Sequence, residues 1–184
     1  GLAPQGIKRI RTNLGNARNI GIETFIEFDI MKLAKGDSTD FTLSIFNNFS
    51  YINAQYITSK EPAYVGNQVE FVPNYTLRSG IRFGYKDFNC SVKMSYVSSQ
   101  FTDATNAINP SPDATIGEIP SYYVMDFSAS YQFKKWFKLE GGVTNFTNNI
   151  YFTRRATAYP GPGVMPSEGI GAYLTLEFKI GSRK

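Results

Sequence analysis

The sequence contains no histidine and only one cysteine, Cys90. Without histidine the chain cannot build a Ser-His-Asp or Cys-His catalytic group, and it lacks the commonest transition-metal ligand. A single cysteine excludes an internal disulfide and any cysteine cluster that would hold zinc or an iron–sulfur centre. We therefore predict that these residues form neither an enzyme active site nor a metal or cofactor site.

Long apolar runs and long basic runs are also missing. No apolar stretch approaches the roughly 18 residues of a membrane-spanning helix. The formal net charge is +4, and no run of basic residues exceeds two, so a nucleic-acid partner is not expected. The chain begins without an initiator methionine or a signal-like segment, which leads us to expect part of a longer protein.

Aromatic residues are abundant, with 15 Phe, 12 Tyr and one Trp, and they lie in segments that alternate apolar and polar side chains. Such alternation is typical of strands with one apolar and one polar face. It predicts seven strands, at about residues 18–31, 41–56, 74–85, 88–100, 121–133, 137–146 and 171–180. Short turns at 35–39, 86–87 and 134–136 should lie at one end, and long loops at the other.

Charged residues within these segments avoid the apolar face, which also carries Cys90 as a small hydrophobic residue. Asn47 is an exception for which the pattern gives no reason. The charged set that follows the polar face is Glu23, Glu27, Asp29, Arg78, Arg82, Lys93, Asp126, Lys138, Glu140, Glu177 and Lys179. A soluble β-sandwich that binds sugars would show the same alternation, so alternation alone does not choose between lipid and a protein core.

Strand length, aromatic placement and loop length favour a membrane barrel over that sandwich. The predicted strands suit a tilted span of about 9–11 residues, whereas soluble strands are commonest at about five or six. Aromatic residues near strand ends suggest interfacial girdles: Tyr56, Phe101, Tyr122, Trp136, Tyr151 and Phe152. Seven strands do not close a barrel. The expected fold is therefore all-β, a fragment of an antiparallel up-and-down transmembrane β-barrel with short periplasmic turns and long extracellular loops.

Two segments carry a resemblance to a known family. NLGNARNIGIE (residues 13–23) is similar to the entry into a strand in TonB-dependent outer-membrane receptors. GGVTNFTNNIYFTRRATAYPGPGVMPSEG (141–169) resembles their penultimate strand and final loop, and its YPGPGVMPSEG part is most like the ferric-dicitrate type. Members usually end on an aromatic residue, whereas here Phe178 is followed by KIGSRK.

The resemblance implies a barrel of about 22 strands, occluded by an N-terminal plug, in the outer membrane of a Gram-negative bacterium. Residues 1–184 would be the C-terminal part of that barrel, with 1–13 a loop remnant, 14–180 strands and loops, and 181–184 a tail. The expected partners are outer-membrane lipid, the plug and remaining strands, the TonB complex acting through the plug, and a ferric chelate such as a siderophore or ferric citrate. The implied function is energised import of that chelate.

Arginines are the candidate ligand-binding residues, because a guanidinium binds a carboxylate at two points. Arg154 and Arg155 lie in the final loop, and we expect them to capture an anionic chelate. The alternative is that they bind Asp103, Asp113 or Glu118 of the preceding loop. Arg78 and Arg82 would line the lumen, or else pair within the wall, and Tyr159 could stack on a ligand. No residue is predicted to be catalytic.

Other functions remain open at this point. A passive porin or structural outer-membrane barrel would share the strand pattern and would lack a plug. An outer-membrane lipase or protease would need catalytic residues outside these 184.

Overall fold

The computed structural model describes residues 13–36, 40–156 and 163–180, and these form an almost entirely antiparallel β structure. Its strands are β1 (Gly15–Asp29), β2 (Phe41–Ser59), β3 (Tyr75–Tyr85), β4 (Phe88–Val97), β5 (Gln100–Phe101), β6 (Glu118–Ile119), β7 (Tyr122–Lys134), β8 (Phe137–Thr144), β9 (Phe152–Ala156), β10 (Gly163–Pro166) and β11 (Gly171–Phe178). A seven-stranded sheet has the order β1-β2-β3-β4-β7-β8-β11, and β5-β6 and β9-β10 form two small pairs. The predicted fold of seven consecutive strands is confirmed, and within the described residues the sheet is not closed.

The connection between β1 and β2 differs from the prediction. The first strand is predicted to continue to Met31, but β1 ends at Asp29 and a helix, α1 (Ile30–Lys35), follows. Of the turn predicted at 35–39, residues 37–39 lie outside the described residues. The Asp29 carboxylate accepts a hydrogen bond from the Lys32 N–H at 2.9 Å and caps the helix, and Gly36 ends it with a φ of 69°. These capping residues were not recognised in the sequence because the alternation of apolar and polar residues continues into the helix. The other two turns, Lys86-Asp87 and Lys135-Trp136, are as short as predicted.

The strand register places most apolar side chains of the seven strands on one face, here called the apolar face. One row across it joins Phe28, Ile45, Ile81, Val92, Phe127, Val143 and Ala172, each opposite the next. Cys90 lies on this face, opposite Phe83 and Ala129, as predicted. Little of the described chain covers the face, since Leu174 is 72% exposed and Ile20 59% exposed. A face of this kind requires an apolar surrounding.

Asn47, the one polar residue that the pattern did not explain, has a partner on the same face. It lies opposite Ser79, and its Nδ2 donates a hydrogen bond to Ser79 Oγ at 2.8 Å. A paired amide and hydroxyl cost far less in an apolar surrounding than an amide alone. Asn47 is therefore tolerated because the neighbouring strand supplies a hydroxyl at the matching register.

The opposite face, here called the polar face, carries the charged residues together with two aromatic rings that lie on glycines. Phe46 is opposite Gly80, and Tyr173 is opposite Gly142. The guanidinium carbon of Arg82 lies over the Phe46 ring, 4.4 Å from the ring centre. An aromatic ring over a strand glycine covers backbone that would otherwise lack side-chain contacts.

Gly142→Ala should disrupt this arrangement. A Cβ at Gly142 would lie 2.6 Å from the Tyr173 ring and 2.7 Å from the Phe127 carbonyl oxygen, which belongs to the backbone and cannot turn away. Overpacking of this kind costs about 1–3 kcal/mol, so we expect a lower unfolding temperature for the folded barrel. Gly141→Ala is the matched control, because its Cβ would meet nothing nearer than 3.4 Å. Equal unfolding temperatures for the two variants would contradict the prediction.

The two ends of the sheet differ. Three connections leave one end, and three long ones leave the other: loop 1 (60–74), loop 2 (98–121) and loop 3 (145–170). Nearly all the buried side chains of the described chain lie among or beneath these loops: Ala54, Tyr56, Gln100, Ala104, Ile119, Asn145 and Ala156. The packed core of this chain is thus in its loops and not in its sheet. In the described chain no helix combines the length and apolar character that a membrane crossing requires.

Candidate functional site

The three long loops join into one layer above the sheet, and this layer and the polar face beneath it are the candidate site. Loop 1 is held to loop 2 by Asn106, whose Oδ1 accepts from the Gln68 N–H at 2.7 Å and whose Nδ2 donates to the Gln68 carbonyl at 2.9 Å. The Phe71 N–H also donates to the Phe101 carbonyl at 2.9 Å. Asn106 therefore binds Gln68 as a second strand would, and it fixes the spacing of the two loops.

Tyr56 was predicted to belong to an interfacial girdle, but it lies under loop 1. It is 9% exposed, and its hydroxyl donates to Glu70 Oε2 at 2.6 Å. The prediction is wrong for this residue because β2 extends to Ser59, so Tyr56 stands beyond the partner strand β3 and is covered by the loop.

Loop 2 is held to loop 3 by Arg155. Its guanidinium donates to the Ala114 carbonyl at 3.1 Å and to the Glu118 carbonyl at 2.9 Å, and it lies 5.1 Å from the centre of the Phe152 ring. Its Nε is buried without a hydrogen-bond partner in the described chain. The expected alternative of a tie to loop 2 is thus correct in location, but the acceptors are backbone carbonyls and not carboxylates. Arg155 holds two loops together.

Loop 3 is anchored at its base by Asn145, which directly follows β8, is 3% exposed and has a φ of 47°. Its N–H donates to Asp126 Oδ1 at 2.9 Å, and its Oδ1 accepts from the Asn149 N–H at 3.0 Å. Its Nδ2 donates to the carbonyls of Asn149, at 3.0 Å, and Glu168, at 3.4 Å. The Asn145 side chain therefore joins the start of loop 3 to its end, and its backbone N–H ties this point to β7.

The turn of loop 2 that meets Arg155 is itself held by Asp113. Asp113 Oδ1 accepts from Ser111 Oγ at 2.6 Å, from the Thr115 N–H at 3.2 Å and from Thr115 Oγ1 at 2.9 Å. These hydrogen bonds, above all that from Ser111, hold the pKa of the Asp113 carboxyl below its ordinary value. Their stabilisation is therefore present at neutral pH and is lost as the pH falls through the pKa of the folded state.

The polar face contains a cavity of about 290 Å³ among its charged and hydroxyl-bearing residues. Arg82 and Glu140 line it together with Ser44, Ser91, Ser128 and Ser130. Arg82 also pairs with Glu27 at 2.7 Å, and Ser91 shares a hydrogen bond with Ser128 at 2.8 Å. In the part of the chain that the structure describes, no three His, Cys, Asp or Glu residues are grouped as metal ligands.

The five predicted ligand-binding residues differ in their contacts and in their exposure. Arg82 and Arg155 are engaged in the contacts given above. Arg78 lies exposed on the polar face, opposite Asn48 and Ser95, and Arg154 lies exposed on β9, opposite Met165. Neither forms a salt bridge with any described residue. Tyr159 lies outside the described residues.

Two further residues, Asn106 and Asn145, hold the loops in place through their side chains and were not predicted from the sequence. Both adopt the left-handed conformation that asparagine tolerates better than most residues. A usable signal for Asn145 was the repeated asparagine in NFTNN, directly after a strand pattern. It was interpreted as the end of the strand, which in fact stops at Thr144.

Comparison with known families gives a match over most of the chain. Residues 2–146 match the model of a family described as TonB dependent receptor-like, beta-barrel.

Several solved structures share the fold. The ferric citrate transporter FecA in its unliganded form is 25% identical with a TM-score of 0.77, covering 88% of this chain and 24% of that one. The siderophore receptor PiuA from Acinetobacter baumannii is 20% identical with a TM-score of 0.65, at 88% and 22% coverage. The ferric yersiniabactin uptake receptor FyuA from Yersinia pestis is 18% identical with a TM-score of 0.68, at 90% and 24% coverage. The chain thus spans about a quarter of the length of each.

Proposed function

This chain belongs to the TonB-dependent receptor-like β-barrel family, and from that premise we propose that it is part of an outer-membrane receptor that imports a ferric chelate. The family is one of receptors and transporters, not of enzymes. The apolar face of the sheet is the lipid-facing wall of a transmembrane barrel, and the polar face is its luminal wall. The loop layer is proposed to lie outside the cell, and the short turns in the periplasm.

The rest of the receptor is proposed to supply what this sheet lacks. The outer edges of β1 and β11 have no strand partner in the described chain, and unpaired backbone groups cannot face hydrocarbon. Further strands of a complete barrel would pair with these edges. A plug would then occupy the lumen against the polar face, where the cavity at Arg82 and Glu140 offers it a polar surface. Energy for import would come from the TonB complex through that plug.

The observation that carries the cargo proposal is that Arg154 is exposed on a loop hairpin that neighbouring residues hold in position. Arg155 ties β9 to loop 2 through two carbonyls, so the adjacent guanidinium of Arg154 is presented on an ordered strand. Arg78, three residues from the loop end of β3, adds a second exposed cation on the luminal wall. Guanidinium groups recognise carboxylates, which favours an anionic ferric chelate bearing carboxylates. The likeness to a ferric citrate transporter supports the same class of cargo.

The test uses the full-length receptor and a panel of chelates: ferric citrate, a ferric catecholate, and gallium citrate as a redox-inert equivalent. We expect carboxylate chelates to bind more tightly than the catecholate, because the catecholate lacks groups that match a guanidinium fork. Uptake of radioactive iron by cells with and without the receptor is the second measurement. Failure to bind or import any ferric chelate would contradict the proposed function.

The arginine assignment has its own test within that panel. Arg154→Ala and Arg78→Ala should each weaken ferric citrate binding about 10-fold or more, as expected for the loss of one charge-assisted contact of about 1.5–3 kcal/mol. Arg154→Lys keeps the charge but not the two-point geometry, so its affinity for ferric citrate should lie between those of the wild type and Arg154→Ala. Lys60→Ala, which removes a cation from the first residue of loop 1, is the control. Unchanged affinity in both arginine variants would contradict this site while leaving the receptor function intact.

The alternative of a passive porin or structural barrel is less well supported. The family of the chain is one of receptors. A plug in the full-length protein would exclude an open pore, and conductance measured across a planar bilayer distinguishes the two directly.

A further inference from the structure

The lipid-facing wall contains a groove of about 380 Å³ that the proposed import function does not use. Its lining comes from β4, β7, β8 and β11 and is almost wholly apolar, and it includes Ala129, Leu139, Gly141, Val143 and Leu174. Ala129 is opposite Gly141, and Gly141 is opposite Leu174, so the two smallest residues lie side by side on this face. Phe127 and Val143 stand in the row on one side, and Tyr131 and Leu139 in the row on the other. The groove is therefore a gap in the wall that two small residues create.

Gly141 differs from its neighbour Gly142 in what a side chain would meet. At Gly142 a Cβ would strike the Tyr173 ring and the Phe127 carbonyl, so packing on the luminal side requires glycine there. At Gly141 a Cβ would meet only ordinary contacts at 3.4 Å, from Leu174 Cδ1 and the Tyr173 carbonyl. Internal packing thus does not require glycine at Gly141. Its missing side chain keeps the groove open toward the membrane.

The short-turn end of the same strands carries aromatic rings of the kind found at a membrane interface. Phe137 is 5.3 Å from Phe133 and 5.0 Å from Phe178, and Trp136 lies 6.3 Å from Phe178, measured between ring centres. Trp136 is 55% exposed. Aromatic side chains gather at the level of the lipid headgroups, so this cluster marks the boundary of the hydrocarbon.

Two lysines stand beside that cluster. Lys134 ends β7, and Lys135 begins the turn to β8; both are exposed, and neither forms a salt bridge with a described residue. Lys134 is five positions along the chain from Ala129, which is roughly 17 Å along a strand at about 3.4 Å per residue. Half of a hydrocarbon core of about 30 Å is roughly 15 Å. The groove therefore lies at the depth that the tail of a lipid reaches when its headgroup is at the lysines.

We propose that this groove and the two lysines form a binding site for one glycerophospholipid of the leaflet at the short-turn end. One acyl chain lies across Ala129 and Gly141, and the phosphate is held by Lys134 and Lys135. The phosphate is negative and the lysines are positive, and the groove is apolar, so both ends of the lipid find complementary chemistry. A second copy of the barrel would require an apolar ridge to fill the groove and would leave the lysines without a counter-charge. The proposal is independent of the imported cargo.

Native mass spectrometry of the full-length receptor in detergent tests the proposal with dipalmitoyl phosphatidylglycerol as the probe. Dipalmitoylglycerol, which has the same chains and no phosphate, separates the contribution of the headgroup from that of the tail. We expect one phosphatidylglycerol to stay bound to the wild type and to bind about 10-fold more tightly than the diacylglycerol. Gly141→Leu should weaken both lipids at least 5-fold, and Lys134→Gln with Lys135→Gln should remove the preference for phosphate.

Matched controls place the same changes elsewhere on the wall. Thr24→Leu adds bulk to the lipid-facing side of β1, and Lys35→Gln removes a cation from the connection between β1 and β2 at the same end. Neither should alter lipid binding. Equal effects of Gly141→Leu and Thr24→Leu, or loss of a receptor dimer in Gly141→Leu without a change in lipid binding, would overturn the proposal. If Gly141→Leu fails to assemble, Gly141→Ala and the lysine pair carry the test, and unchanged binding in both would overturn it.

Discussion

Replacing Asn145 by alanine is expected to open loop 3 at its base while the sheet stays folded. The substitution removes the acceptor of the Asn149 N–H and the donor to the Asn149 and Glu168 carbonyls, all at a buried position. Each buried group left without a partner costs about 1–3 kcal/mol, so the loop should lose about 3 kcal/mol or more. Alanine also tolerates the φ of 47° less well than asparagine.

Limited proteolysis and hydrogen exchange measure this opening directly. Cleavage should appear between residues 145 and 170 in Asn145→Ala at protease levels that leave the wild type intact. Ferric chelate binding should fall about 10-fold or more if loop 3 presents Arg154, whereas thermal unfolding of the sheet should change little. The largest loss is confined to the loop because the Asn145 side chain joins the start of loop 3 to its end, whereas the backbone N–H that binds Asp126 of β7 is kept in the variant.

Asn145→Asp is the matched control for this prediction. It keeps an oxygen that accepts from Asn149, and it keeps a residue that tolerates the left-handed conformation, but it loses the donor and adds a charge near Asp126. An intermediate protease sensitivity is expected. Equal protection of loop 3 in the alanine variant and the wild type would show that the asparagine does not anchor the loop.

The strands could be predicted from the sequence because both faces of the sheet meet strongly different surroundings. Alternation of apolar and charged residues places β3 at 74–85 by pattern and at Tyr75–Tyr85 in the structure. A one-residue slip would expose Arg78 and Arg82 on the apolar face, so the register is strongly determined. The α1 helix escaped prediction because six residues are too few for a helical period to stand out from a strand pattern.

The loop layer could not be predicted in the same way. Arg155 was chosen as a ligand-binding residue because a guanidinium attracts carboxylates, but its acceptors are the carbonyls of Ala114 and Glu118. Every residue has a carbonyl, so no residue type in the sequence marks these partners. The sequence alone therefore does not distinguish the role of Arg154 from that of Arg155. The two roles differ because the two side chains leave β9 in different directions.

Removing the Arg155 guanidinium should have the second large effect. We expect it to disorder loops 2 and 3, and to weaken ligand binding only as a consequence of that disorder. Arg155→Ala deletes two charge-assisted hydrogen bonds to carbonyls, each worth about 1.5–3 kcal/mol, and the contact with the Phe152 ring. Ala114, whose φ of 55° is rare for alanine, loses the partner that holds its carbonyl. We expect faster hydrogen exchange in both loop 2 and loop 3.

The comparison with Arg154→Ala distinguishes a loop-supporting residue from a ligand-binding residue at adjacent positions. Arg155→Ala should raise exchange in both loops and weaken chelate binding about 10-fold or more, whereas Arg154→Ala should weaken binding with exchange unchanged. Lysine has a single ammonium group, which cannot bind both carbonyls as the guanidinium does. Arg155→Lys should therefore show a hydrogen-exchange rate between those of the wild type and Arg155→Ala. Carboxylate chelates and the catecholate should be affected alike by Arg155→Ala, because a disordered loop does not discriminate between them. If Arg155→Ala instead weakened only the carboxylate chelates and left hydrogen exchange unchanged, Arg155 would be a ligand-binding residue and not a support of the loops.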